Sequence, residues 1–130
     1  MDRHIVFLFG EAEKGEFCTP LICQSLSKLA DTFGHPPKES MGIAYAIQTL
    51  LYGYEVVYFR VREEGFSIPD YMKGIKLLEN KEQAHDLAAI CMPGVGDEEI
   101  IHSCFLICKL QGSILIVSQR DLYDYLTVSA

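Results

Sequence analysis

The first residues with chemical potential follow the first apolar run of the sequence, where Gly10 and Gly15 enclose an acidic stretch. A phosphate-binding loop begins in this way, but it continues with Lys and then Ser or Thr, which hold phosphate and magnesium. Glu16 and Phe17 stand there instead, and three glutamates in the segment would repel phosphate. We interpret the segment as a solvated surface loop. The alternative is an acidic lip that selects a cationic or hydroxyl-bearing group, with Lys14 as its one positive charge.

A second glycine-containing loop, PGVGDEE at positions 93–99, follows a later apolar run. Glycines allow backbone N–H groups to approach a ligand, and the N-terminus of the helix that follows attracts an anion. The loop resembles a shortened PGGxGTxxE loop of the nucleotide phosphoribohydrolases that are often mislabelled as lysine decarboxylases. The likeness covers about seven residues, lacks one glycine and has Asp97 in place of threonine, so we transfer no catalytic role. A plain strand-to-helix turn capped by Asp97 explains the same residues.

Cys18 is the one cysteine with a predicted position that suits reactivity. It comes just before a helix that Thr19 and Pro20 are expected to open, and a helix N-terminus can lower the pKa of a thiol. A thiol nucleophile also needs a base, and no histidine is predicted near it. We therefore favour a structural role for Cys18.

Arg60 and Arg62 end a predicted strand two residues apart, so their side chains point to the same face. Both are placed to meet a carboxylate or a phosphate, and Arg120 is expected to approach them from a later loop. The alternative is that the arginines neutralise the glutamates of the same edge, where acids outnumber bases.

Short apolar runs, typical of strands covered on both faces, alternate with helical patterns along the chain. We predict strands over residues 5–9, 55–61, 87–92 and 113–117, and helices over 20–33, 40–52, 71–79, 98–111 and 121–127. This alternation predicts one α/β domain over residues 1–130, a small three-layer Rossmann-like or flavodoxin-like domain. It would have about four mostly parallel strands and helices on both faces.

In such sheets, ligands bind beyond the carboxyl ends of the strands. That rule brings the loops 10–18, 60–66, 92–97 and 118–120 to one edge. The candidate ligand-binding residues are Gly10, Glu11, Lys14, Cys18, Arg60, Arg62, Gly94, Gly96, Asp97 and Arg120.

Composition sets aside several function classes. The 130 residues are 49% hydrophobic and 22% charged, which is typical of a globular domain, and the net charge of −7 disfavours nucleic acid and anionic membranes. Five cysteines without a CxxC pair argue against a disulfide framework, and no metal site is predicted. No signal peptide is apparent at the start of the sequence, so we expect a cytoplasmic protein.

Two functions remain open, and the sequence assigns neither a cofactor nor an enzymatic reaction. The first is binding of a nucleotide-like or other small anionic ligand at the carboxyl edge of the sheet. The second is a non-catalytic interaction or assembly protein, acting as a homo-oligomer or a partner subunit. The number of tyrosines supports the second function, because tyrosine is favoured at interfaces, although it equally covers the rim of a core. The tyrosines in question are Tyr45, Tyr52, Tyr54, Tyr58, Tyr123 and Tyr125.

Overall fold

The computed structural model describes residues 5–80 and 87–129, which form an α/β fold around one mixed sheet. The strands in these ranges are β1 (Ile5–Gly10), β2 (Leu21–Cys23), β3 (Glu55–Arg60), β4 (Leu87–Cys91) and β5 (Ile114–Ile116). The helices are α1 (Leu26–Phe33), α2 (Gly42–Leu51), α3 (Ile68–Glu79), α4 (Glu98–Gln111) and α5 (Gln119–Ser129).

The strands lie in the order β2-β3-β1-β4-β5. The contacts of β1 with β3, of β1 with β4 and of β4 with β5 are parallel, whereas β2 pairs antiparallel with β3. The sheet is therefore mostly parallel. Among the described residues, no helix has the length and apolar content needed to cross a bilayer.

Two clusters of buried side chains explain why the strands are continuously apolar. Along β1, Val6 and Leu8 belong to one cluster, which also contains buried residues of α1, α2 and α5. Phe7 and Phe9 belong to the other cluster, with residues of α3 and α4. Successive side chains of a strand point to opposite faces, so an apolar run is needed where both faces are covered.

The expected first helix is wrong in its first third. Residues Leu21–Cys23 form an antiparallel edge strand on β3, which gives five strands instead of four. The helix begins at Leu26, because the Ser25 hydroxyl caps it by accepting a hydrogen bond from the Lys28 N–H at 3.1 Å. Pro20, expected at the first helical position, instead precedes an edge strand, where a missing N–H is tolerated.

The predictions for the later elements agree more closely with the structure. The side chain of Asp97 caps α4 as expected, by accepting a hydrogen bond from the Ile100 N–H at 3.1 Å. Phe105, an apolar residue of this helix, is 55% exposed, whereas Ile107 is buried. Ile107 lies three residues after Cys104 and seven after Ile100, so it shares their buried face of the helix, and Phe105 does not.

Candidate functional site

The carboxyl ends of β1 and β3 lie side by side, and the loops that follow them make the most elaborate hydrogen-bond network of the described structure. The network has two parts. One surrounds the carboxylate of Glu64 and the start of α2, and the other surrounds Arg60 and Arg62.

The carboxylate of Glu64 caps the N-terminus of α2. It accepts hydrogen bonds from the backbone N–H groups of Glu11 at 3.0 Å, Met41 at 2.6 Å and Gly42 at 3.0 Å. In return, the Glu11 carboxylate accepts the Glu64 N–H at 2.8 Å, and the Tyr58 hydroxyl donates to the Glu11 carbonyl at 2.7 Å. The place where a helix N-terminus would attract an anion is thus occupied by the protein's own carboxylate.

Burial raises the pKa of Glu64 above its usual value, and the nearby charge of Glu11 adds to this effect. The three backbone hydrogen bonds act in the opposite direction, because they favour the ionised carboxylate, but they do not outweigh the desolvation. Glu64 was not among the residues expected from sequence, since a glutamate in a charged loop carries no signal of burial.

Gly10, a candidate ligand residue, has a packing role at this point. A Cβ placed on it would lie 2.7 Å from the Cα of Gly42 and would also collide with the hydroxyl oxygen of Tyr58. The backbones of β1 and α2 therefore approach each other here more closely than any side chain permits.

The loop between β4 and α4 is also packed against the protein. Gly94 has a φ of 79°, and its carbonyl lies 2.5 Å from where a Cβ on Gly65 would be. Gly96 has no atom within 4 Å of its own Cβ position, and both glycines of the loop are exposed. The geometry makes the loop a capped turn with two exposed glycines.

Acidic side chains surround the N-terminus of α4. Asp97 caps the helix, and Glu98 and Glu99 lie exposed in its first turn. Three acids stabilise a helix N-terminus. They also repel any anion that approaches this helix N-terminus, where the PGGxGTxxE loop that residues 93–99 resemble would bind a nucleotide.

Arg60, Arg62 and Cys18 do come together, and Phe17 is the residue that joins them. The backbone of Phe17 forms a bridge with Arg60, and the Cys18 N–H donates to the Arg60 carbonyl at 2.9 Å. The guanidinium carbons of Arg60 and Arg62 lie 3.9 Å and 4.6 Å from the centroid of the Phe17 ring. The Arg60 guanidinium also donates to the carbonyl of Gly15. We call Phe17, Cys18, Arg60 and Arg62 the arginine cluster.

Asp70, in the first turn of α3, forms hydrogen bonds with two members of the arginine cluster, Arg62 and Cys18. Its side chain is 4% exposed and accepts hydrogen bonds from the Arg62 N–H at 2.8 Å, the Arg62 guanidinium at 2.7 Å and the Cys18 thiol at 3.2 Å. Burial acts to raise the pKa of Asp70, but the bonds and charge of Arg62 and the thiol bond lower it overall. Asp70 thus remains an anion that orients Arg62.

Cys18 is held as a protonated thiol. Burial raises its pKa, and so do the hydrogen bond to Asp70 and the charge of that carboxylate. Since α1 begins at Leu26, the helix that was expected to start directly after Cys18 and to lower its pKa is not there. Cys18 also has a φ of 54°, a left-handed conformation that non-glycine residues adopt infrequently.

Lys14 and Arg120 do not join the cluster. Lys14 is exposed, with its backbone N–H bonded to the Phe33 carbonyl at 3.3 Å. Arg120 lies exposed in the first turn of α5, after β5. Three strand spacings separate β5 from β3, or about 14 Å, so the expected approach of Arg120 to Arg60 and Arg62 is wrong. Strand order, which the sequence does not reveal, decides this distance.

A cavity of about 330 Å³ borders the arginine cluster. Gly15 connects the two features, since it lines the cavity and its carbonyl accepts the hydrogen bond from Arg60. The other residues that line the cavity are Glu16, Thr19, Leu21, Thr32 and Phe33. The volume is within the usual range for small-molecule sites. Within residues 5–80 and 87–129, no three His, Cys, Asp or Glu side chains are grouped to hold a metal ion.

Comparison of the chain with models of known families, with curated proteins and with solved structures found no match.

Proposed function

We propose that the protein binds a small anionic ligand, with the acid group of the ligand on the arginine cluster and its body in the adjoining cavity. The observation that carries this proposal is the pair of guanidinium groups beside one phenylalanine ring, Phe17. Guanidinium groups match carboxylate and phosphate in geometry and charge.

The balance of charge favours this position over the rest of the edge. The start of α2 is filled by the Glu64 carboxylate and the start of α4 by Asp97. In the described part of the chain, the one ion pair of the two arginines is between Arg62 and Asp70, and the Arg62 side chain is still 55% exposed. One positive charge therefore remains in excess of the acid.

We also propose that the fold is of the doubly wound, flavodoxin-like type. The support is the order β3-β1-β4-β5 of its parallel strands and the presence of helix residues in both core clusters. In that fold type the usual ligand position lies where the strand order reverses, between β1 and β4. The arginine cluster is at the end of β3, so the proposed site depends on the arginines and not on fold analogy.

Thermal unfolding in the presence of inorganic phosphate, adenosine monophosphate or acetate tests the proposal. We expect at least one of these anions to raise Tm for the wild type and to lose most of this effect with Arg62→Gln, because half of the guanidinium pair is removed. Arg120→Gln is the matched control, since it removes an exposed arginine that follows β5, at the opposite edge of the parallel part of the sheet from β3, and should keep the full shift.

Each variant is compared with its own ligand-free Tm, because loss of the Arg62–Asp70 pair lowers stability by itself. An equal anion-induced shift in Arg62→Gln and in the wild type would contradict the proposal, as would the absence of any shift across the three anions.

A second candidate function is assembly with another protein or a second copy, and α4 favours it. This helix exposes Phe105 by 55%, Leu106 by 45% and Leu110 by 87%. Large apolar side chains grouped on a helix surface are typical of a contact with another protein.

Leu110→Glu is expected to convert an oligomer to a monomer in light scattering without loss of stability, because the side chain is almost fully exposed. Leu51→Glu on α2, where Leu51 is 68% exposed, is the matched control and should leave the assembly intact. A wild-type protein that is monomeric at all concentrations, or an oligomer that resists Leu110→Glu, would contradict self-assembly through α4.

A further inference from the structure

The strand β5 ends the sheet and presents backbone groups on its outer side. The Ile116 carbonyl accepts a hydrogen bond from the Met92 N–H at 2.9 Å, so Ile116 directs its backbone toward β4. Backbone direction alternates along a strand, and the N–H and C=O of Leu115 therefore point away from the sheet. An edge of this kind accepts an additional strand.

A groove of about 420 Å³ runs between this edge and α5. Ile114, on the strand side, is 48% exposed, and Val128, on the helix side, is 85% exposed. Asp121, Asp124 and Val128 are spaced by three and four residues and form one stripe along α5. The remaining lining residues are Leu115, Ile116 and Tyr125. Apolar surface and two carboxylates thus border the same strand edge.

We propose that this groove binds an extended segment of another protein, which adds to β5 as a sixth strand and presents both apolar and basic residues on its face toward α5. Backbone hydrogen bonds with Leu115 would give affinity. On that face, apolar side chains would cover Ile114 and Val128, and lysine or arginine would pair with Asp121 and Asp124. These two aspartates are the only charged residues of the described chain that line the groove.

Charge also argues against a second copy of the chain as the occupant. Two edge strands that pair antiparallel are related by an axis perpendicular to the sheet, which places both copies of α5 on the same side. Asp121 and Asp124 of each copy would then converge, in a chain whose net charge is already −7. A basic segment removes this repulsion.

The probe for the test is the fluorescein-labelled hexapeptide Lys-Lys-Val-Val-Lys-Lys, which presents lysine and valine on both faces of a strand, measured by fluorescence anisotropy. Its controls are the peptide with glutamate in place of each lysine, and the lysine–valine peptide with N-methyl groups on all backbone amides, which cannot donate to a strand edge. We expect the unmodified basic peptide to bind, and both controls to bind at least about tenfold more weakly, because one lacks the charge and the other the backbone donors.

The double variant Asp121→Asn/Asp124→Asn should weaken binding of the basic peptide about fivefold or more. Glu98→Gln/Glu99→Gln removes the same charge from the first turn of α4, outside the groove, and should bind like the wild type. Equal losses in the two double variants would show attraction to net charge alone and overturn the proposal. Undiminished binding of the N-methylated peptide, or no binding of the basic peptide to the wild type, would also overturn it.

Discussion

Gly42→Ala is expected to lower the free energy of unfolding by about 3 kcal/mol, the upper part of the usual range for overpacking. A Cβ at this position would lie 2.7 Å from the Cα of Gly10 and 2.8 Å from Oε1 of Glu64, and would also collide with the Tyr58 hydroxyl oxygen. None of these atoms is free to move away. The hydroxyl is bonded to the Glu11 carbonyl, the carboxylate to three backbone N–H groups, and Gly10 is part of β1.

Urea unfolding followed by far-ultraviolet circular dichroism measures this effect, since the chain has no tryptophan to report on folding. Gly96→Ala is the matched control, because its Cβ would meet no atom within 4 Å and its φ is not left-handed. We expect it to change stability by less than about 1 kcal/mol. If both variants unfold at the same urea concentration, the close approach of β1 and α2 is not as tight as described.

Much of the fold could be predicted from local patterns. The runs that became β1, β3 and β4 are apolar at consecutive positions, which is required of strands covered on both faces. The strand β2 could not be predicted in this way. Three residues contain no measurable period, and Leu21–Cys23 is a strand because the outer edge of β3 is open to it.

In the candidate site, too, contacts fixed by residue spacing could be predicted, and contacts between residues far apart in the sequence could not. Arg60 and Arg62 were expected together because a two-residue spacing in a strand fixes a shared face. Phe17 and Asp70 were missed, because their contacts with the arginines depend on the path of the loop after β1 and on an α3 that begins before Tyr71. Neither feature leaves a pattern in the sequence.

The tyrosines are a further case in which residue type alone did not predict position. Their number was the reason for proposing an interaction or assembly function. Tyr45, Tyr54 and Tyr58 are 5%, 8% and 0% exposed, and therefore belong to the core. Side-chain type did not distinguish a core tyrosine from an interface tyrosine. The exposed apolar residues of α4 now support the proposal of an interaction surface in their place.

Glu64→Gln is expected to destabilise the protein by about 2 kcal/mol, the usual contribution of a hydrogen bond to a charged group. The amide oxygen of glutamine can replace Oε1 and accept the N–H groups of Glu11 and Gly42. Its NH₂ group would then face the Met41 N–H, which now donates to Oε2 at 2.6 Å, and two donors cannot bond to each other. Glu63→Gln, an exposed neighbour with the same chemical change, should have no comparable effect.

The pH dependence of the stability lost in Glu64→Gln tests whether the half-buried carboxyl group of Glu64 is charged. Because the pKa of Glu64 is raised in the folded protein, the folded state holds this proton at pH values where the unfolded chain has released it. The stability that Glu64 contributes is therefore complete below its ordinary pKa of 4.5 and declines as the pH rises through the folded value. Glutamine does not titrate, so the difference in stability between wild type and Glu64→Gln should narrow as the pH rises above the ordinary pKa of 4.5. A difference that widens with pH would mean that the three backbone hydrogen bonds outweigh desolvation, and that α2 is capped most strongly by the ionised carboxylate.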